Sequence, residues 1–289
     1  MCRASFGRNV NLPVMSQAAN SALVELRRDD HLAEIVLDRP AQLNAISSTM
    51  AIEIAQIATQ VAEDAGVRAV IISSSSERAF CVGADLKERN GFSDAEMIDQ
   101  RPLISAMFTG LLSIPVATIA AVAGYALGGG FEIALSCDLI VADTTAVLGL
   151  PEVSVGLVPG GGGTQLVSRR AGSATAIDLV LTGRRVDVDE AFHLGLVDRR
   201  VPAARARAEA LALAHQIAAN SPVASRAAKR AIRLGAGRSL SDGLELEHVA
   251  WTEAASSSDR REGIAAFVEK RQPDWPSAQQ PARENPAGS

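Results

Sequence analysis

The chain is poor in the features that hold nucleic acid. Aromatic residues are 3% of its 289 positions, too few for a platform of stacked bases. Lys and Arg number 28 against 33 Asp and Glu, and a formal net charge of −5 gives phosphates no general attraction. Cysteine is scarce: Cys2, Cys81 and Cys137 are odd in number and unpaired in spacing, which argues against a disulfide framework and for a reducing compartment. His31, His193, His215 and His248 form no H-x-x-x-H or H-E-x-x-H pair, so no metal site is expected. Long apolar runs are missing as well. The longest, Ile114 to Leu127, is interrupted by Pro115, Gly124 and Tyr125 and falls short of the ~20 residues of a membrane helix. Met1 to Asn20 lacks the sustained apolar block of a signal peptide, so a soluble, cytoplasmic protein is expected.

What is present is core-forming material. With 47% hydrophobic residues, the chain is long enough to bury one large domain. Leu32 to Leu37 reads as a strand stopped by Pro40, and Ser47 as the N-cap of a helix that lines up Ile54, Ile57, Ala58 and Val61. Val67 to Ser73, Val116 to Val122, Leu139 to Ala142 and Ala146 to Leu150 read as further strands. Helices are expected around Lys87 to Arg89, from Phe131 to Cys137 and from Thr164 to Arg170, with a polar stretch after Asn90. Strands alternating with helices indicate an α/β core, placed at residues 21–202. Four helical patterns without strands follow, at Arg205–Ala219, Pro222–Leu234, Leu240–Ala255 and Asp259–Lys270, forming a helical region at 203–275. Residues 1–20 are expected to be a disordered or mis-started extension. The tail at 276–289 is too polar and proline-rich to fold alone.

Two segments pass from strand to helix through small residues: A-F-C-V-G-A-D-L-K-E-R from Ala79, and A-A-V-A-G-Y-A-L-G-G-G-F-E from Ala120. Unpaired N–H groups at helix starts favour developing negative charge, and glycine permits close approach. Two such starts aimed at one point would make an oxyanion hole from backbone alone. An isolated G-G-G more commonly serves turns and packing, however. Neither G-Y-A-L-G-G-G nor G-G-G-G-T fits a dinucleotide or P-loop pattern.

These two segments, together with L-P-E-V-S-V-G-L-V-P-G-G-G-G-T-Q from Leu150, resemble the signatures of the crotonase (enoyl-CoA hydratase/isomerase) superfamily. Their wording is closest to its methylglutaconyl-CoA hydratase branch. The likeness runs from about Leu23 to Pro202 and implies a spiral of ββα units with a helical C-terminal region that trimerises, two trimers commonly pairing. It implies that Glu132 and Glu152 are the catalytic pair and that Val82 and Gly129 supply the oxyanion-hole N–H groups. Arg39 to Ala45 resembles the family's CoA-binding turn, with contacts at Ala41 and Leu43; a lysine common in relatives is replaced by Ala41. Cys81, Gly83, Ala84, Asp85, Leu86 and Gly128 complete the implied substrate- and CoA-binding set. Within it, Cys81 reads as a packing residue, and Asp85 as a helix cap or loop-orienting group. Lys87 and Arg89 are candidate phosphate contacts, though solvated helix charges suit them better; Phe92, Met97, Phe108 and Phe131 are candidates for the acyl pocket.

The resemblance implies addition of water across C2=C3 of a 2-enoyl-CoA, with no cofactor beyond the CoA carried by the substrate. The alternatives are a double-bond isomerase of the same superfamily, for which Glu152 alone could serve, and a non-catalytic acyl-CoA-binding scaffold. RNA binding would need a basic helix. The one from about Thr49 to Ala65 has no Lys or Arg, and Glu53, Glu63 and Asp64 make it acidic.

Overall fold

The computed structural model describes residues 22–278, so the expected extension at 1–20 and most of the expected tail lie outside the described residues. Strands β1 (Val24–Asp29) and β2 (Leu32–Leu37) form an antiparallel pair. Helix α1 (Ser48–Glu63) starts where the sequence places it: the Ser47 hydroxyl accepts the Met50 N–H, and Ile54, Ala58 and Val61 are buried.

The chain then repeats one unit three times. The first comprises β3 (Ala69–Ser74), β4 (Ala79–Cys81), α2 (Leu86–Arg89), α3 (Asp94–Asp99) and α4 (Arg101–Ser113). The second comprises β5 (Ala117–Val122), β6 (Tyr125–Leu127) and α5 (Gly129–Ser136). The third comprises β7 (Leu139–Asp143), β8 (Val147–Gly149) and α6 (Gly163–Thr182). After them come β9 (Arg185–Asp187), α7 (Val188–His193) and β10 (Arg199–Val201). Each unit gives its long strand to a six-stranded sheet, β1-β2-β3-β5-β7-β10, and its short strand to a four-stranded sheet, β4-β6-β8-β9. The order is the same in both sheets, so the ββα units advance as a spiral, as the resemblance implies.

The central strands of the larger sheet, β2, β3, β5 and β7, are buried on both faces, which is why they read as largely continuous apolar runs rather than alternating ones. Val70 and Ile72 face the main core, whereas Ala69 and Ile71 face α8 (Ala206–Ala218), whose Ala210, Leu213 and Ala214 pack on that side. Small residues on α8 allow the helix to lie close against the sheet. The chain ends in α9 (Pro222–Gly235), α10 (Leu240–Ser256) and α11 (Ser258–Glu269). Asp138, at the end of α5, ties α9 to the core through Lys229 and Arg233, both at 2.7 Å. A 3-10 turn at Pro276–Ala278 follows, with the Ser277 hydroxyl donating to Asp259 at 2.6 Å.

Strands β1, β9 and β10 and helix α7 were not read from the sequence, and two further stretches differ from the expectation. The polar stretch after Asn90 contains α3 and α4, the first fixed by a Ser93–Glu96 capping box and the second by a proline in its first turn. Beyond Arg170 the span given to α6 is two helical stretches joined at Gly172, whose φ 83° and ψ 160° are not helical, and the second runs to Thr182.

Glycine at position 130 is a packing requirement. A Cβ there would lie 2.0 Å from the Cys81 carbonyl oxygen, backbone against backbone, whereas one at Gly243 would meet nothing within 4 Å. Gly130→Ala is therefore expected to lower stability by about 3 kcal/mol. Gly243→Ala, within α10, should raise it by about 0.5–1 kcal/mol. Denaturant midpoints of the two variants check the contrast, and equal midpoints would contradict this account of α5 packing.

Candidate active site

Strands β4 and β6 are parallel neighbours, and each hands the chain to a helix start at the same edge of the small sheet. The approach is close. Gly83 has φ 91°, and a Cβ on it would sit 2.8 Å from the Leu127 carbonyl and 3.1 Å from the Gly129 nitrogen. This places the backbone of residues 83–84 beside the first turn of α5.

The N–H of Val82, expected in the oxyanion hole, is already spent: it donates to the Leu43 carbonyl at 3.2 Å. The free donor on this loop is the N–H of Ala84 instead. Ile46 bridges Ala84 in parallel, with the Ile46 N–H bound to the Gly83 carbonyl and the Asp85 N–H bound to the Ile46 carbonyl. This pattern turns the N–H of Ala84 itself away from Ile46, and it has no acceptor among the described residues. The N–H of Gly128 donates to the Gly149 carbonyl at 2.9 Å, whereas Gly129, first residue of α5, has no earlier turn to bond. Ala84 and Gly129 thus present two unpaired donors side by side, and a Cβ on Gly129 would be 3.9 Å from the Ala84 nitrogen.

Glu132 lies one turn further along α5 and is almost wholly buried. Its Oε1 accepts the N–H groups of Gly161 and Gly163, both at 2.7 Å, so the second glycine run serves as a carboxylate cradle. Burial raises its pKa, and these two N–H groups oppose the rise. Glu152 sits in the 3-10 turn Glu152–Val155 after Pro151, against Gly128, where a Cβ would be 3.0 Å from its Oε1. Its Oε2 is buried without a partner. Burial, reinforced by the negative charge of Glu132, pushes Glu152 up to about 7, although its own N–H and Arg89 pull the other way. Burial raises both carboxyls, but their surroundings differ: Glu132 has two backbone donors that favour its anion, whereas Glu152 has an oxygen without a partner.

Val82, Gly83, Ala84, Leu86, Gly128, Gly129, Glu132 and Glu152 all line one cavity of about 380 Å³. Of the expected acyl-pocket residues Met97 and Phe108 join them; Phe92 does not, and Phe131 is fully buried core. Two members of the expected binding set stand behind the wall. Cys81 is fully buried and donates its thiol to the Asn44 carbonyl at 2.9 Å, and burial pushes its pKa up to about 12. The Asp85 carboxylate caps α2 through the Lys87 and Glu88 N–H groups and takes an Arg39 guanidinium at 2.6 Å. Burial works against its charge, but Arg39 and the helix donors hold its pKa below the usual range. Since Arg39 also donates to the Ala45 carbonyl at 2.8 Å, this pair clamps the turn bearing Ala41 and Leu43 to the loop bearing Ala84. Neither Ala41 nor Leu43 lines the cavity.

Sequence reasoning passed over Gln100 and Arg101, which join the lining from α3–α4, and the donor role of Gly161 and Gly163. The glycine run was conspicuous, but nothing in it reveals which carboxylate it faces. Among the described residues, no cluster of three or more His, Cys, Asp or Glu could hold a metal, and no helix is long and apolar enough to cross a membrane.

A family model described as enoyl-CoA hydratase/isomerase matches residues 27–279. The chain belongs to this family, the crotonases. The human protein named enoyl-CoA hydratase domain-containing protein 2, mitochondrial, is 39% identical over 268 residues, covering 89% of this crotonase and 91% of that protein. The Mycosarcoma maydis protein named enoyl-CoA isomerase/hydratase fer4 is 40% identical over 247 residues, 83% of this chain and 90% of the other. Among solved structures, the crystal structure of an enoyl-CoA hydratase from Bacillus anthracis superposes with a TM-score of 0.86 at 38% identity, covering 88% of this chain and 99% of that one.

The state of Glu152 has a signature in stability. Below the ordinary carboxyl value of 4.5 both folded and unfolded chains hold the proton; between there and about 7 only the folded chain does, and it loses ground as pH rises. Glu152→Gln should therefore gain thermal stability relative to wild type as pH rises through this window, with no further gain above it. Melting temperatures of both proteins at pH 4.5, 6 and 8 measure the difference, and a pH-independent difference would contradict the raised pKa.

Proposed function

We propose that this crotonase is an enoyl-CoA hydratase that adds water syn across the C2=C3 bond of a 2-enoyl-CoA. The observation that supports this most strongly is the convergence on one cavity of two unpaired backbone donors, at Ala84 and Gly129, with two carboxyl groups of unlike environment. The thioester oxygen lies between the two N–H groups and takes up enolate charge as the reaction proceeds; removal of one such donor costs roughly 10²–10³ in rate. Glu132, as the anion, takes a proton from water while the hydroxide oxygen bonds to C3. Glu152, protonated, delivers its proton to C2, and exchange with solvent resets the pair. Such acid–base help contributes roughly 10²–10⁴.

The CoA portion runs past the turn of Ala41 and Leu43, with Gly83, Leu86 and Gly128 along the thioester, whereas Cys81 and Asp85 support the wall. The reaction needs no cofactor beyond the CoA of the substrate. The exposed apolar side chains of Leu240, Trp251 and Phe267, at 80%, 67% and 85% of full exposure, support burial of α10 and α11 against another copy. A homotrimer or a pair of trimers, working in the cytoplasm, completes the reading.

Isomerisation is the second reading, supported by the raised pKa of Glu152, since one carboxyl can shuttle a proton between C2 and C4. Loss of enoyl-thioester absorbance on mixing with crotonyl-CoA distinguishes the two. Wild type should hydrate it, and Glu132→Gln and Glu152→Gln should each lose roughly 10²–10⁴ in kcat. If wild type left crotonyl-CoA untouched but converted 3-hexenoyl-CoA to the 2-isomer, the hydratase reading would fall. If it did neither while binding CoA esters, a non-catalytic scaffold would replace both.

A further inference from the structure

Helix α4 does more than wall the cavity. It faces the loop of residues 160–163, whose Gly161 and Gly163 N–H groups hold Glu132 Oε1, both at 2.7 Å. Two side chains of α4 fix that loop. Arg101, first residue of the helix, donates from Nη1 to the Gly160 carbonyl at 2.5 Å. Two turns on, the ring of the buried Phe108 fills the space over Gly161, where a Cβ would lie 2.2 Å from two ring carbons. Gly161 is not at positive φ, so the ring, rather than the backbone conformation, excludes a side chain there. The helix is itself anchored: Ile104, Met107 and Leu111 are buried, and the Gln100 amide nitrogen at its N-cap donates to the Ser48 hydroxyl at 2.8 Å.

A carboxylate held by two backbone donors is only as well placed as the loop that carries them. Four consecutive glycines, Gly160 to Gly163, have no side chains with which to hold their own course, so the restraint has to come from outside. Helix α4 supplies it, through a hydrogen bond to one carbonyl and a ring against the next residue. Arg101 brings charge as well. Its side chain is exposed and its field is screened by solvent, yet it favours the Glu132 anion, in the same sense as the two N–H groups. The other charged groups that line the cavity with Glu132 are Arg89 from α2 and Glu152 from the 3-10 turn.

We propose that Arg101 and Phe108 are positioning residues for Glu132, acting through the backbone of Gly160 and Gly161. Neither needs to touch the reacting atoms. The catalytic consequence rests on the reading of Glu132 as the base that activates water, whereas the linkage from α4 to its carboxylate does not.

Arg101→Met removes both charge and donor. It should lower kcat for crotonyl-CoA by about tenfold and leave calorimetric affinity for saturated butyryl-CoA within about twofold of wild type. Because the Glu132 anion is then less favoured, the acid limb of the kcat profile should move to higher pH. Arg101→Lys, which keeps a charge and a donor, should recover the limb and most of the rate. Gly161→Ala should cost about 10²-fold in kcat. Adding Phe108→Ala should restore part of that loss, although Phe108→Ala alone lowers kcat. An unshifted acid limb in Arg101→Met, or butyryl-CoA weakened as much as kcat falls, would overturn the inference, the arginine then serving only the fold or the substrate. Additive losses at Gly161 and Phe108 would overturn it too. Denaturant midpoints give a readout free of turnover: Arg101→Met should cost less in a Glu132→Gln background than in wild type. In a protein that hydrates no enoyl-CoA, that non-additivity would sustain the linkage and remove only the hydratase reading, whereas additive midpoints would sink the linkage itself.

Discussion

Gly130 and the Cys81 carbonyl touch at a distance that admits no side chain, and the candidate site is arranged around that contact. Because α5 can press this closely on the end of β4, its first turn lies beside the loop leaving the neighbouring strand. Gly83 and Gly129 extend the same contact, each so near the other segment that a Cβ would displace backbone or the Ile46 side chain. The result is two N–H groups fixed in one place without the use of a flexible side chain. Donors of this kind need no reorganisation when charge develops. Glu132 inherits its place from the same helix, one turn on, where the loop from Gly160 to Gly163 closes over its carboxylate.

Around this contact the polar network is structural before it is chemical. Asn44, fully buried with φ 56°, accepts the Arg39 N–H and donates to Ser74 and to the Phe80 carbonyl. Arg39 reaches Asp85, and Asp85 caps α2. Three loops from different parts of the chain are thus joined by charged or amide hydrogen bonds. Such a network holds the Ala84 N–H in place although none of its members lines the cavity. Glu132 and Glu152 show the converse: identical in chemistry, they differ in behaviour because one has been given donors and the other has an unpartnered oxygen.

The C-terminal region obeys a different logic. Asp138 anchors α9 through Lys229 and Arg233, but α10 and α11 leave large apolar side chains in the open. A family whose members act on acyl-CoA and typically oligomerise accounts for surface of this kind. The cavity that holds both glutamates is lined by residues of α3, α4 and the turn that carries Glu152.

Periodicity and punctuation in the sequence were enough for the long strands β2, β3, β5 and β7, for α1 with its Ser47 cap and for the four closing helices. These elements are amphipathic or fully buried over many residues, so local pattern and burial agree. Strands of three residues such as β4, β6 and β9 carry too few positions to show a period, and they form only because their neighbours supply the ladder. The glycine-rich motifs and the two glutamates were legible as types in order, which fixed the family resemblance. Which N–H is free was not. Val82 and Ala84 are two residues apart with equivalent backbone chemistry, and only the hydrogen bond from Val82 to Leu43, a residue 39 positions away, separates them. Arg101 escaped for the same reason, and Arg89, read as a phosphate contact or a solvated helix charge, lines the cavity instead. The sequence by itself determined the order of elements and the kinds of group available, because those depend on neighbours along the chain. The tertiary structure decided which donors stay unpaired, which carboxyl receives backbone donors and which charges face the cavity, because each depends on contacts between segments far apart in sequence.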